Sequence, residues 1–178
     1  VIPGSLGPPD TLDRAYSFVS QYRIAFGFPD ILFGPPDAYG QLIEQQERTG
    51  TDVVLGLHRI EDPRIWDMVD SDNEGRVREI VMKPASTRLT FGWCFAVWTP
   101  VFSEFLHRFL RADETRRNMG QLAHTANDPG GDLAVGVVFQ AALKAGLSIQ
   151  TVTFPHDRYL DIGTPDNLAK AVRQQAVE

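Results

Sequence analysis

A single cysteine, Cys94, is all the thiol chemistry this sequence offers, which excludes an intrachain disulfide framework and fits a reducing compartment. Cys94 lies in the run Phe91-Gly-Trp-Cys-Phe-Ala-Val-Trp98 and reads as a small core side chain. No stretch approaches the roughly 18 apolar residues of a membrane span, and no signal peptide opens the residues given, so the expectation is a cytoplasmic protein with no membrane partner. Basic residues are outnumbered: 17 Lys and Arg stand against 23 Asp and Glu, a net charge of -6, which argues against broad capture of nucleic acid. Any phosphate site must therefore be local. The histidines His58, His107, His124 and His156 are scattered and lack a ligand spacing such as His-Glu-x-x-His, which argues against zinc. Internal repeats and low-complexity tracts are also missing.

What is present suits one globular domain spanning residues 1–178. Its residues are 43% hydrophobic and 22% charged, enough to bury a core. Helical and strand patterns alternate along the chain, which predicts an α/β fold: a Rossmann-like mixed, mostly parallel sheet flanked by helices. Helices are expected at residues 11–24, from Pro35-Pro36 to about Arg48 with Gly50 as the stop, from Thr99-Pro100 through the apolar stripe Phe102, Phe105, Leu106, Phe109 and Leu110, at 133–144, and after Thr164. Strands are expected at 25–28, 53–57, 92–98, 149–154 and 159–162, and Asp70-Ser-Asp-Asn-Glu-Gly75 is expected to turn a hairpin between 68–69 and 77–81. The polar stretch 111–131 reads as a surface excursion or lid.

The most informative segment is Tyr159-Leu-Asp161-Ile-Gly163-Thr164-Pro165-Asp166. Thr164 is a good N-cap, Pro165 suits the first helical position and Asp166 favours the positive end of the helix dipole. Asp161 thus sits at the carboxyl end of a strand, where open α/β sheets place their ligands, and an aspartate there can bind metal.

Taken in order, Pro9-Asp10, Gly27-Phe-Pro-Asp30-Ile-Leu-Phe33, Asp62-Pro63, Gly75-Arg-Val77, Val81-Met-Lys83-Pro84, Gly92 and Asp161-Ile-Gly163-Thr164-Pro165 resemble the sugar-1-phosphate nucleotidyltransferases. The likeness runs from about residue 6 to residue 172 and corresponds to the later two-thirds of that family's domain. It implies attack of a sugar-1-phosphate oxygen on the α-phosphorus of a nucleoside triphosphate, giving an NDP-sugar and pyrophosphate. The partners it implies are those two substrates, and a homo-oligomer stays open. It further implies Mg2+ held by Asp30 and Asp161, Lys83 against the sugar phosphate, and Gly92, Trp93, Asp10 and Thr11 as substrate-binding positions. Oxygen-only ligands suit magnesium, which completes its octahedron with waters and substrate phosphates.

Several positions depart from the family pattern. The glycine-rich loop that holds the triphosphate is not found in these residues, since the prolines of Gly4-Ser-Leu-Gly7-Pro-Pro remove amide donors. Met82 stands where a glutamate binds sugar hydroxyls, Trp66-Asp67 where Tyr-Gly is usual, Pro29 where a glycine precedes Asp30, and Thr11 where a glycine lies near the base pocket. Two alternatives follow: an inactive relative that binds a sugar phosphate or nucleotide sugar, and a glycosyltransferase of related fold using Asp70-Ser-Asp72.

Overall fold

Near-continuous apolar runs in two strands, Val53–Arg59 and Phe91–Trp98, organise the molecule, a computed structural model that describes residues 5, 7–112, 133–155 and 159–175. The elements in chain order are α1 (Pro8–Arg14), α2 (Tyr16–Val19), β1 (Ile24–Gly27), β2 (Ile31–Phe33), α3 (Ala38–Thr49), β3 (Val53–Arg59), a 3-10 turn (Pro63–Ile65), β4 (Met68–Ser71), β5 (Val77–Val81), β6 (Phe91–Trp98), α4 (Pro100–Arg111), α5 (Val135–Lys144), β7 (Ile149–Phe154), β8 (Tyr159–Asp161) and α6 (Pro165–Gln175). Most of the expected excursion at 111–131, together with His124 and His156, lies outside the described residues.

The sheet is mixed and runs β5-β4-β6-β3-β7, with β1 also paired to β6. Along its whole length β6 pairs antiparallel with β3, so β1 and the start of β4 share its other edge. The flanking helices and mixed pairing match the expectation. Parallel pairing, expected to dominate, is confined among the described strands to β3 with β7. The reason is the connection from β3 to β6, which passes through the 3-10 turn and the β4–β5 hairpin. Parallel neighbours are usually joined by a helical crossover, and that stretch contains no α-helix.

The two faces of the sheet carry separate cores. Val53, Leu55 and Leu57 of β3 with Ala96 and Trp98 of β6 meet Phe102 and Leu106 of α4 and Val138 and Phe139 of α5. On the opposite face Val54, Cys94, Phe95 and Val97 meet Ala38 and Leu42 of α3. Burial pushes the Cys94 thiol up to about 12, so it is an inert core side chain. Gly50, at φ 66, ends α3 in the left-handed conformation that glycine adopts without a steric penalty.

One local reading changes and two features are new. The helix expected at 11–24 is broken at Ala15 into α1 and α2, and Ile24 already belongs to β1. The segment Ile31–Phe33, with no strand expected of it, pairs antiparallel with β8 in a second, two-stranded sheet. Finally, β6 carries a bulge: Gly56 faces Phe95 and Leu57 faces Trp93, which leaves Cys94 as the extra residue. Strict alternation would put Trp93 and Phe95 on one face. The bulge sends them to opposite faces and turns Trp93 toward the α5 side.

Candidate active site

A cleft of about 390 Å³ opens between the end of the main sheet and the small β2–β8 sheet, within the usual size range of small-molecule sites. Four of the expected site residues line it: Asp30, Asp161, Lys83 and Trp93.

The small sheet brings the two aspartates together. Asp30 sits in the turn after β1, where the Ile31 amide donates to the Phe28 carbonyl at 3.2 Å, and its own carbonyl accepts from the Ile162 amide at 2.7 Å. Ile31 is opposite Asp161 in the β2–β8 register. On the β8 side the Asp161 carboxylate accepts from the Gly163 amide at 2.8 Å, and the Thr164 hydroxyl accepts from the Asn167 amide at 3.3 Å, the N-cap expected for α6. Tyr159 anchors β8 edge-on against Trp66, their centroids 5.1 Å apart, and burial pushes its phenol up to about 12.

Gly163 measures the convergence. A Cβ built there would meet Asp30 Oδ2 at 2.8 Å and Asp161 Oδ1 at 3.1 Å, so those oxygens are separated by no more than the sum of the two distances. Two oxygens on one magnesium ion lie roughly 3 Å apart when cis and 4 Å when trans, given bonds of about 2.1 Å. The bound brings both carboxylates to one point of the cleft, and their oxygen-only donor set suits magnesium. Among the described residues no group of three or more His, Cys, Asp or Glu side chains could hold a metal, so an ion here would take its remaining ligands from water and substrate.

Lys83 follows β5 with φ 38, a left-handed conformation that side chains rarely adopt. This twist before Pro84 turns the chain at the rim of the cleft and places Lys83 in its lining.

Asp67 lines the same cleft and was not among the residues singled out as functional from sequence. It is only 8% exposed. Its Oδ2 accepts from the Trp93 indole at 3.3 Å, while Oδ1 has no hydrogen-bond partner among the described residues. Burial raises its pKa, opposed by the Trp93 hydrogen bond and by the charge and backbone of Lys83. The one signal in the sequence was the replacement of a usual glycine at this position.

The other expected residues lie elsewhere. Asp10 is on α1, ion-paired with Arg14 at 3.0 Å, and the exposed Thr11 meets the Ser5 hydroxyl at 2.8 Å; the cleft takes only Pro8 from this helix. Gly92 is buried beside β4, opposite Met68, where a Cβ would meet Ile60 at 2.7 Å and the Asp67 carbonyl at 3.0 Å. In the hairpin, Asp72 accepts from the Glu74 and Arg76 amides at 2.9 and 3.0 Å, so the Asp70-Ser-Asp72 motif builds a turn outside the cleft.

No protein-family model matches this sequence, and no curated protein matches it. Solved structures do. A protein assigned as a glucose-1-phosphate thymidylyltransferase from Bacillus anthracis, solved with sucrose, superposes with a TM-score of 0.74 at 16% identity, covering 98% of this chain and 63% of its own. A UDP-glucose pyrophosphorylase from Acinetobacter baumanii gives 0.69 at 17% identity, covering 97% and 57%. The inositol-1-phosphate CTP transferase from T. maritima gives 0.68 at 18%, covering 96% and 61%. The chain therefore has a sugar-1-phosphate nucleotidyltransferase-like fold and spans about three-fifths of the length of the structures it matches. Among the described residues no helix is long and apolar enough to cross a membrane.

Proposed function

We propose that this fold serves a nucleotidyl transfer in which a sugar-1-phosphate and a nucleoside triphosphate yield an NDP-sugar and pyrophosphate. The observation that carries the reading is the meeting of Asp30 and Asp161, 131 positions apart in sequence, on one cleft that also contains Lys83. Asp30 and Asp161 would hold Mg2+, whose charge neutralises the triphosphate during the displacement. The chain's own part is positional and electrostatic. Lys83 binds the sugar phosphate as a point charge, and the apolar wall of Phe28, Trp66 and Trp93 excludes water from the reacting groups. No protein nucleophile is required, because the sugar phosphate itself attacks.

The test is pyrophosphate release from the full-length gene product, supplied with each nucleoside triphosphate, a panel of sugar-1-phosphates and Mg2+. Asp161→Asn and Asp30→Asn should each lower turnover roughly 100-fold or more. Binding of sugar phosphates without any release would instead favour a non-catalytic binding relative. Turnover untouched by both substitutions rules out the assigned roles.

A further inference from the structure

We propose that Asp67 sets specificity in the cleft by accepting a hydrogen bond from a hydroxyl of a phosphorylated carbohydrate or polyol. The inference rests on the preceding reading only in placing a sugar phosphate in this cleft.

Asp67 lies between the 3-10 turn and β4, and its backbone carbonyl accepts from the Trp93 amide at 3.3 Å. That main-chain bond fixes the position of the residue and needs no particular side chain. Within the fold the carboxyl group meets the Trp93 indole and the charge and backbone of Lys83. One oxygen takes the Trp93 indole, which any neutral acceptor would satisfy, and the other is left without a hydrogen bond in a shielded place. A buried acceptor without a donor costs stability, so native structures seldom keep one where neither water nor a ligand completes it.

The surroundings are shaped around this carboxylate. Gly136, in the first turn of α5, leaves room for it, since a Cβ there would come within 2.1 Å of Asp67 Oδ2. The first turn of a helix also favours a negative group. Both Lys83 and Asp67 line the cleft, and Lys83 is close enough to act on the Asp67 charge. A ligand answering both must carry an anionic group for the lysine and a hydrogen-bond donor for the carboxylate a short distance away. Ile65, Trp66 and Trp93 add an apolar wall that suits the carbon face of a sugar or cyclitol ring. A polyhydroxylated phosphate monoester meets all of these requirements, whereas inorganic phosphate meets only the first.

Titration calorimetry with Mg2+ tests the assignment, using the 1-phosphates of glucose, galactose, mannose and myo-inositol with inorganic phosphate as reference. The wild type should bind at least one panel member more tightly than inorganic phosphate. Asp67→Asn and Asp67→Ala should each weaken that compound about tenfold or more and leave inorganic phosphate within about twofold. Equal losses for both ligands, no loss, or no preference over phosphate in the wild type would overturn the proposal. If circular dichroism finds both variants unfolded, monodeoxy analogues of the preferred compound are titrated against the wild type. A tenfold loss for one analogue supports the assignment, and equal binding of all of them overturns it. Hydroxyl discrimination through Asp67 without pyrophosphate release would leave this inference standing while the transfer reading fails. Release with no dependence on Asp67 would do the reverse.

Discussion

Gly163 leaves room for two carboxylates, since a Cβ there would crowd both Asp30 Oδ2 and Asp161 Oδ1. Gly163→Ala should therefore weaken Mg2+ binding by roughly tenfold, the usual cost of disturbing a ligand's support, with little change in unfolding midpoint. Calorimetric titration of the metal checks it, and an unchanged affinity would mean that the pair does not share an ion. Asp67 supplies a prediction in pH. Its pKa is raised in the folded chain by burial, so above about pH 4 the native state keeps a proton that the unfolded chain has released. Raising the pH through that window favours unfolding. Relative to Asp67→Asn, the wild type should lose stability from about pH 4 upward until the folded carboxyl has ionised, and urea midpoints of both proteins across that range should diverge. At this scale Asp161 is marked by its strand end before a glycine, whereas Asp30 and Lys83 are picked out only by the resemblance; all three line one cleft. Asp67 was not legible, because its burial comes from Trp93 and Gly136, which are remote in sequence.

Elements were legible where local signals agreed and obscure where a partner decided. The apolar stripe 102–110 and the Gly50 stop placed α4 and α3 within a residue or two. The three residues of β2 became a strand only by pairing with β8, and no periodicity in Ile31-Leu32-Phe33 announces that. The bulge in β6 was equally hidden, since period-2 reading of Phe91–Trp98 assigns Trp93 to the wrong face. The bulge depends on Gly56, over which the Phe95 ring lies so closely that a Cβ would approach it to 2.4 Å. Phe95 cannot easily retreat, because it stacks on Phe33 with centroids 4.0 Å apart. Gly56→Ala should thus cost about 1–3 kcal/mol through overpacking, measured as a lowered urea midpoint with an unchanged slope. A neutral result would mean that Phe95 has room to move.

Across the whole molecule, the cleft joins parts that are separately built: β1 and the β2–β8 pair, the end of β5, the middle of β6 and the start of α5. A ligand bound there ties these parts together, and stability should follow its concentration. With Mg2+ and the preferred sugar phosphate at about 100 times the dissociation constant, unfolding should cost about 2.7 kcal/mol more than without them. Thermal scans should record a rise in midpoint that a chelator diminishes and that Asp161→Asn largely abolishes. A full rise in that variant would locate the ligand elsewhere.

The β2–β8 pairing has a consequence in time as well as in space. During synthesis on a ribosome, Asp30 emerges 131 residues before Asp161, which arrives only after Tyr159 and Leu160 have been added and set beside Phe33 and Leu32. Until then the Asp30 turn has no β8 beside it, so the rim that carries both carboxylates is closed only after the two strands have paired.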